Sequence, residues 1–587
     1  MKLFIRLGTI IAIVTVLLSC RQNSSQDVIT FDEPEAPQFV SPVQQWEKLN
    51  GGVQVAWGSS NERYHREYIP VTGNKENIVC TGWKNERVYA QLVAWSNDSV
   101  PALSVQVSDL KSGKDVIKAE AIKPFFVRNV ITDEFLGGCG YKTKKQETAH
   151  LVADCLEEAP ALYMREKSTR GVWFNIDIPA DVPAGSYTGK VSVMAQGKKV
   201  KDLSLSVNVL DMHLPDPANW QYHLDLWQNP YAVARMHNVE LWSDKHFEYM
   251  KPLYKMLANA GQKCITASII HKPWGGQTYD HFESMVKHTL KADGTWEFDY
   301  SIFDKWISFM MDLGIKEQIN CYTMVPWGNK FYYFDEKLVR DTSFTAKPAT
   351  EKYAWYWAPF LEDFTTHLNE KGWLEITAIA MDERPQEEMD GALKLIAQHS
   401  KLKVASAANY SAGLSEQIYD LCVALRHVPS ENNIEERREK GQKTTFYVCC
   451  SEDRPNNFTF SPPAEGVWQG WFSYAKKLDG MLRWAYNSWV EDPVQDSRFR
   501  TWPGGDTFFV YPGAKSSIRF EKVREGIQDY EKLKILTQKL QKCDDEKARE
   551  HLEKIEDVLN GFNAEKIKED GALKQVLKAK EVLKYQL

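Results

Sequence analysis

The chain has 587 residues, of which 43% are hydrophobic and 12% aromatic, and its formal net charge is −7. A single core stops growing at roughly 250–300 residues, so this length predicts two or three globular domains. The mild negative charge and the lack of a basic cluster argue against nucleic acid as a partner, because nucleic-acid binding needs a concentrated basic face.

The first twenty residues have the pattern of an export signal. Lys2 and Arg6 give a positive start, and the apolar run that follows is too short to span a membrane as a mature helix. The run ends in Leu17-Leu18-Ser19-Cys20, which resembles the lipobox of bacterial lipoproteins. We therefore expect a lipid on Cys20, a polar tether over residues 21–36, and attachment to the cell envelope, at the outer membrane, through the lipid alone. The alternative is an ordinary signal peptide with a chance cysteine.

Residues 37–214 are predicted to form a β-sandwich domain. Apolar and polar residues alternate at 102–110 and 203–210, as they do in half-buried strands. Between these segments, a strand, a Pro/Gly turn and a second strand form a hairpin-like unit over 172–193. The segment carries no catalytic constellation, so we expect this domain to brace the next one or to bind sugar.

Residues 215–530 are predicted to form a (β/α)8 TIM barrel, because short apolar strands alternate there with amphipathic helices. The predicted strands are 222–227, 263–270, 318–325, 375–381, 403–409, 421–425, 444–450 and 480–488, and helices separate them, for example at 244–260, 302–313, 355–370, 387–399 and 433–439. An open doubly wound sheet is the alternative, but it would need a glycine-rich loop after its first strand. Residues 531–587 are predicted to form a short C-terminal helical extension.

An adjacent pair of carboxylates, Asp382 and Glu383, directly follows the fourth predicted strand. Active sites of barrels lie at the carboxyl ends of the strands, and this is the only one of five Asp-Glu pairs in the chain that ends an apolar barrel strand. Two neighbouring carboxylates repel each other, which raises one pKa and keeps a proton available as a general acid. The alternative is a structural pair bound by Arg384 or another arginine.

Adjacent carboxylates suit one glycosidase mechanism in particular. When a sugar carries a 2-acetamido group, the carbonyl oxygen of that group can attack the anomeric carbon, which is an exception to the usual scheme with an enzyme nucleophile. The enzyme then supplies an acid for the leaving oxygen and a carboxylate for the acetamide N–H. Both groups lie on one side of the sugar, so neighbouring residues can provide them.

Three motifs resemble the exo-β-N-acetylgalactosaminidases of glycoside hydrolase family 123. They are Met381-Asp382-Glu383-Arg384-Pro385, Leu482-Arg483-Trp484-Ala485-Tyr486-Asn487-Ser488-Trp489, and the stretch from Tyr511-Pro512-Gly513 to Asp529-Tyr530. The resemblance covers nearly all of the mature chain. It implies retaining hydrolysis of terminal β-linked N-acetylgalactosamine from glycans or glycolipids. In that family the Asp assists the acetamide and the Glu is the acid/base, roles that would fall on Asp382 and Glu383.

Substrate contacts are predicted at the ends of the barrel strands. On the eighth strand, Trp484, Tyr486 and Trp489 are predicted to wall the sugar subsite and Asn487 to bind a hydroxyl, although side-chain alternation should turn at least one aromatic toward the helices. Tyr410 is predicted to contact the acetamide oxygen. The other predicted contacts are Trp227, His271, Trp274 and Arg426, with Trp327, Asn409 and His427 as further strand-end candidates. Packing is the alternative role for each.

We expect no metal and no cofactor. The cysteines are scattered without a C-x-x-C pair, and several lie in apolar runs, where cysteine behaves as a small buried hydrophobe. His271 and His427 have no carboxylate or cysteine at matching local spacing.

Two other functions remain open from the sequence. Glu452 follows the seventh predicted strand, so Glu383 and Glu452 could form a conventional retaining pair acting on a neutral sugar. The chain could also be a non-catalytic, anchored glycan-binding protein, which its 20 tryptophans and 25 tyrosines would suit. The intact Asp382–Glu383 pair argues against that second reading.

Overall fold

The structure, a computed structural model, describes residues 27–35, 46–49, 51–139, 148–408, 412–500 and 502–585. Cys20, Asn409 and Tyr410 lie outside these ranges, so the predictions made for them remain predictions. Within these ranges, no helix is both long enough and apolar enough to cross a membrane.

The N-terminal domain consists of two sheets that share one apolar core. Its strands are β1 (Val28–Ile29), β2 (Gln54–Trp57), β3 (Asn77–Lys84), β4 (Arg87–Ser96), β5 (Val100–Val107), β6 (Leu110–Ser112), β7 (Asp115–Ile117), β8 (Ile122–Thr132), β9 (His150–Glu157), β10 (Ala161–Met164), β11 (Ser168–Asp177), β12 (Gly185–Ala195) and β13 (Lys198–His213). One sheet has the order β1-β10-β5-β12-β13-β3, with β6 and β7 beside β12, and the other has the order β2-β4-β11-β8-β9. Trp57 and Phe174 from one sheet pack with Val191 and Leu205 from the other. The predicted N-terminal β-domain is confirmed.

Part of the predicted polar tether over residues 21–36 is docked on the N-terminal domain. Val28 and Ile29 form β1, which pairs in parallel with β10. Glu33 is buried against the domain and makes salt bridges of 2.6 Å to Arg170 and 3.2 Å to Arg66. Burial disfavours its charge, but these two guanidinium groups lower the pKa of Glu33 to about 2. A two-residue strand and a single glutamate leave no periodic signal in the sequence.

The second domain is built from the remaining strands and helices. The strands are β14 (His223–Leu226), β15 (Cys264–Ser268), β16 (Lys287–Leu290), β17 (Trp296–Asp299), β18 (Gln318–Tyr322), β19 (Lys330–Asp335), β20 (Arg340–Thr345), β21 (Thr377–Met381), β22 (Lys403–Ala407), β23 (Asp420–Ala424), β24 (Lys443–Tyr447) and β25 (Gly480–Arg483). The helices are α1 (Pro230–His237), α2 (Asp244–Ala258), α3 (Ser301–Asp312), α4 (Glu351–Lys371), α5 (Gln386–His399), α6 (Ala412–Ser415), α7 (Glu431–Glu439), α8 (Ala464–Ala475), α9 (Ile518–Gln541), α10 (Glu546–Leu559), α11 (Lys566–Asp570) and α12 (Ala572–Lys580). Short 3-10 turns lie in the second domain at Pro217–Asn219, Leu374–Ile376, Leu425–His427 and Glu581–Lys584, and one lies in the N-terminal domain at Ala119–Ala121.

Eight parallel strands form a nearly closed barrel, in the order β14-β25-β24-β23-β22-β21-β18-β15. Between β14 and β15 the ring is completed by a single bridge, in which Lys263 N–H donates to the Leu224 carbonyl at 3.0 Å. The side chain of Gln228 extends this seam by accepting from Thr266 N–H at 2.8 Å. Each of the eight predicted strands corresponds to one barrel strand.

Two features of the second domain differ from the sequence analysis. The first is a four-stranded sheet, β17-β16-β19-β20, which is inserted beside the barrel and was not predicted. The second is the boundary predicted at residue 530, which falls inside α9. Lys532 of this helix pairs with Glu86 at 2.6 Å, and Arg519 pairs with Asp154 at 2.9 Å. Helix α9 therefore belongs to the barrel and to the seam between the domains, and α10–α12 complete the C-terminal extension.

Candidate active site

Strand β21 aims Asp382 into the mouth of the barrel. Ala378 and Ala380 lie in the cluster that fills the barrel interior, whereas Ile379 and Met381 pack toward the helices. Side chains alternate along a strand with a period of two, so Asp382 continues the inward face. It lines a pocket of about 150 Å³ together with Glu383. The small alanines beneath leave room at the end of the strand.

Two N–H groups hold the carboxylate of Asp382. The indole Nε1–H of Trp327 donates to Oδ2 at 3.0 Å, and the backbone N–H of Glu383 donates to Oδ1 at 2.9 Å. Burial raises the pKa of Asp382, while these two bonds and the nearby charge of Arg384 act in the opposite direction. The carboxylate is therefore fixed in orientation before a substrate arrives.

Arg384 does not form the structural pair that was the alternative for these carboxylates. Its guanidinium lies 5.0 Å from the centre of the Trp327 ring and makes a 3.4 Å ion pair with Glu388. Among the residues that the structure describes, neither Asp382 nor Glu383 makes a salt bridge. The two carboxylates are thus available to a ligand.

Glu383 stands at the pocket with a strongly shifted pKa. Burial and the negative charges of Asp382 and Glu452 raise its pKa to about 7. The Tyr447 hydroxyl donates a hydrogen bond to Oε1 of Glu383. A carboxyl group that keeps its proton near neutral pH can act as a general acid and later as a base. Tyr447 was missed by the sequence analysis, although it is the last residue of a barrel strand.

Four tryptophans surround the carboxylate pair: Trp227, Trp327, Trp484 and Trp502. Trp484 and Trp502 meet edge to face, with ring centres 5.7 Å apart. The predicted contacts Trp227 and Trp484 therefore lie at the pocket. Trp274 lies behind, stacked on Trp227 at 4.8 Å, and supports that ring.

Three residues predicted to contact the sugar from the eighth strand are buried elsewhere. The Tyr486 hydroxyl donates to the Leu253 carbonyl at 3.1 Å, and the Trp489 indole donates to the Val510 carbonyl at 2.6 Å. The Asn487 amide exchanges bonds with the backbone of Asn229 at 2.8 and 3.0 Å. The prediction is wrong for these residues because β25 ends at Arg483. Beyond that point the strand alternation no longer applies.

His271 and Arg426 also lie away from the pocket. His271 packs edge to face against Tyr332 at 4.8 Å and lines a different cavity. Arg426 is exposed on the 3-10 turn after β23 and faces a cavity that α11 helps to line. The structure therefore contradicts the predicted contacts of both residues with the sugar.

Glu452, the alternative nucleophile, holds a turn. It is only 3% exposed, and its Oε2 accepts from Cys449 N–H at 3.1 Å and from the Ser451 hydroxyl at 2.7 Å. Its negative charge helps to raise the pKa of Glu383, but its Oε2 is occupied by these two hydrogen bonds in the turn after β24. It does not line the pocket.

Two of the cysteines form a disulfide bond that was not predicted from the sequence. Cys139 of the N-terminal domain and Cys450 after β24 form a disulfide beside the pocket, across 311 residues of sequence. The expectation of buried, free thiols is confirmed for Cys80, Cys155, Cys264, Cys321 and Cys422. Inside the barrel, His223, Cys264 and Asp420 bring metal-ligating atoms together, but His223 Nε2 is engaged with Asp420 Oδ2 at 2.9 Å.

Comparison with known proteins gives consistent matches. The family model for the catalytic domain of glycoside hydrolase 123 matches residues 227–536, and that for its N-terminal domain matches residues 57–195. A family 123 glycoside hydrolase from Clostridium perfringens, described for its hydrolysis of glycolipid glycans, is similar with a TM-score of 0.82 and 28% sequence identity, over 90% of this chain and 97% of that chain.

Two other solved structures match with TM-scores below 0.5. A family 5 xyloglucanase from Bacteroides ovatus has a TM-score of 0.27 at 10% identity, over 81% of this chain and 100% of its own. A family 39 glycoside hydrolase from Bacteroides cellulosilyticus has a TM-score of 0.31 at 9% identity, over 77% of this chain and 82% of its own. No curated protein matches significantly.

Proposed function

Because this chain belongs to glycoside hydrolase family 123, we propose that it removes terminal β-linked N-acetylgalactosamine by substrate-assisted catalysis with retention. The observation that carries the mechanism is the adjacent pair in one pocket. Asp382 is held by the Trp327 indole, and Glu383 has a pKa of about 7. The galacto preference rests on the family resemblance.

The reaction assigns one task to each carboxyl group. The acetamide carbonyl oxygen attacks the anomeric carbon while Glu383 gives its proton to the departing glycosidic oxygen. Asp382 accepts the acetamide N–H and stabilises the positive charge that develops on the oxazolinium ring. Glu383, now ionised, removes a proton from water as that water attacks the anomeric carbon and restores the acetamide. Two inversions at the same carbon give net retention.

The size and the walls of the pocket support exo action on a single terminal sugar. Its volume of about 150 Å³ is below the roughly 300–1,000 Å³ of sites for drug-sized ligands. The four tryptophans around it offer flat apolar surfaces to the faces of a pyranose ring. We propose glycans or glycolipids as the source of that sugar, since the Clostridium perfringens relative is described as acting on glycolipid glycans.

The test compares chromogenic β-N-acetylgalactosaminides that carry acetyl, difluoroacetyl and trifluoroacetyl groups. Fluorine weakens the carbonyl oxygen as a nucleophile, so the rate should fall with each substitution. A thiazoline analogue of the oxazoline intermediate should inhibit. A rate indifferent to fluorination would exclude substrate assistance, and azide rescue of Glu452→Ala to give a glycosyl azide would assign the nucleophile to Glu452. We expect no such rescue. A chain that turns over none of these glycosides would be a glycan-binding protein.

We also propose that the mature protein is anchored in the cell envelope, at the outer membrane, by a lipid on Cys20. The support is the sequence Leu17-Leu18-Ser19-Cys20 after a short apolar run. Metabolic labelling with a fatty acid should mark the wild type and not Cys20→Ala. Equal labelling of the two would refute the anchor, and fractionation of labelled membranes would test the location.

A further inference from the structure

One residue that lines the catalytic pocket, Cys139, comes from the N-terminal domain. Cys139 belongs to the segment that leaves β8, and it lines the same pocket as Asp382 and Glu383. Its Cα lies 5.0 Å from that of Cys450, to which its sulfur is bonded. The first domain therefore reaches the catalytic carboxylates of the second and is covalently joined to it there.

The segment that leads from the end of β8 to Cys139 is docked on the barrel at its start. Ile131 N–H donates to the Gln495 carbonyl, and Ser497 N–H donates to the Ile131 carbonyl, both at 2.8 Å. Asp133 then accepts from Gly504 N–H at 2.8 Å. These bonds fix the loop residues 495–500 and 502–504, among which is the pocket residue Trp502. The segment thus supports one tryptophan wall before it reaches the disulfide.

The other cysteine of the disulfide, Cys450, lies in the turn after β24, close in sequence to two residues that act on Glu383. Tyr447, which donates to the Glu383 carboxylate, lies three residues before Cys450. Glu452, whose negative charge helps to raise the pKa of Glu383, lies two residues after it. The disulfide therefore ties the N-terminal domain to the part of the barrel that sets the position and proton affinity of the acid.

We propose that the N-terminal domain is part of the active site, and that the Cys139–Cys450 disulfide is the device that positions its segment as a wall of the sugar pocket. The proposal rests on the proposed function for the identity of the sugar but not for the existence of the wall. Once the disulfide is opened, the segment can move away from the pocket and the turn at 449–452 loses its anchor. The enzyme then needs a compartment in which disulfides persist, as an exported protein has.

The test is the double variant Cys139→Ala/Cys450→Ala, with Cys543→Ala as the matched control. Cys543 is a free, half-buried thiol in the C-terminal region. Displacement of a positioning group by about 1 Å can lower the reaction rate up to roughly 10²-fold. A displaced pocket wall also binds the sugar less well, so we expect KM for a chromogenic glycoside to rise at least about threefold. Dithiothreitol should raise KM of the wild type equally, reoxidation should restore it, and neither treatment should affect the double variant.

The pH profile separates positioning from simple stabilisation. The groups that act on Glu383 are Asp382 beside it, Glu452 and Tyr447 from β24 and its turn, and Arg384 through Asp382. A looser turn at 449–452 lets water in and moves the Glu452 charge away, while Tyr447 stays in place as part of β24. Both changes lower the pKa of Glu383, so the alkaline limb of kcat/KM should move to lower pH. A variant with unchanged KM and an unchanged limb, whatever its Tm, would overturn the proposal.

A second measurement does not depend on any substrate or on the folding of the variant. Hydrogen exchange of the wild type, with and without reductant, should show faster exchange in the segments 131–139, 495–500 and 502–504 once the disulfide is reduced. Equal protection in both states would overturn the proposal. If no glycoside is turned over but exchange still increases, the proposed function fails and the wall remains.

Discussion

Replacing Trp327 by phenylalanine should move the acid limb of the pH profile and leave the alkaline limb in place. The indole N–H donates to Asp382 Oδ2 at 3.0 Å and is the largest of the influences that lower the pKa of that carboxyl. Phenylalanine keeps an aromatic ring under Arg384 but has no donor. The ionised form of Asp382 is the working form in the proposed mechanism, so the change should reduce the fraction of active enzyme at low pH.

The size of the shift follows from the strength of a hydrogen bond to a charged group, about 1.5–3 kcal/mol. Trp327 is 42% exposed, so water replaces part of the lost bond and the lower end of that range applies. At 1.36 kcal/mol per pKa unit, the pKa of Asp382 should rise by about one unit. Below the acid limb, kcat/KM should therefore fall about tenfold relative to wild type, and on the plateau this cause should change little.

The assay is kcat/KM against pH for a chromogenic N-acetylgalactosaminide, with the limbs assigned to the carboxyl pair as a unit because the two groups interact. The alkaline limb should stay near the Glu383 pKa of about 7. Trp484→Phe is the control: this ring also lines the pocket, so KM should rise while both limbs stay in place. An acid limb that moves equally in both variants, or in neither, would refute the reasoning.

Three further predictions test other parts of the structure. Glu383→Gln should abolish hydrolysis of substrates with poor leaving groups and keep much of the rate on activated aryl glycosides, because a group that leaves unaided needs no proton; equal loss on both would place the acid elsewhere. Asp382→Asn should slow glycosidic cleavage by roughly 10²-fold or more without changing the thermal melting curve, on the scale of one lost preorganised group; a rate within a factor of three of wild type would contradict its role. Asp506→Ala should lower the free energy of unfolding in urea by about 3–5 kcal/mol. Arg483 and Asp506 form a salt bridge in which both side chains are 0% exposed, and the substitution removes the carboxylate from this pair. A loss below about 1 kcal/mol would mean that water reaches the site.

The sequence predicted the barrel and the carboxylate pair because both depend on local pattern. Apolar runs of five residues separated by amphipathic helices specify parallel strands, and the carboxyl end of β21 specifies the place of Asp382 and Glu383. The same rule could have found Tyr447, since it is the inward-facing last residue of β24. It was missed because the predicted strand continued to residue 450, which placed Tyr447 inside the strand and not at its carboxyl end.

The errors have physical causes that no local pattern carries. Trp489 and Tyr486 resemble a sugar-binding wall only while the strand continues. After β25 ends at Arg483, the chain pairs instead with residues 508–510, where Phe509 N–H donates to the Tyr486 carbonyl at 2.8 Å. The Cys139–Cys450 bond joins residues 311 apart, and a pairing at that separation is set by the docking of two domains. Burial of Glu33 likewise depends on arginines more than thirty residues away.

Helix α9 limits how this protein can be recombined, in evolution or in the laboratory. Lys532 and Arg519 are buried residues of the catalytic half whose partners, Glu86 and Asp154, belong to the N-terminal half. A chimera that exchanged the first domain for an unrelated one would leave the buried Arg519 without its carboxylate, at a cost of about 3–5 kcal/mol, and would leave Lys532 with only Asp529 of its own helix, at 2.8 Å. The two halves are therefore expected to be inherited together, and a transplant that succeeds must carry the acidic partners of α9 with it.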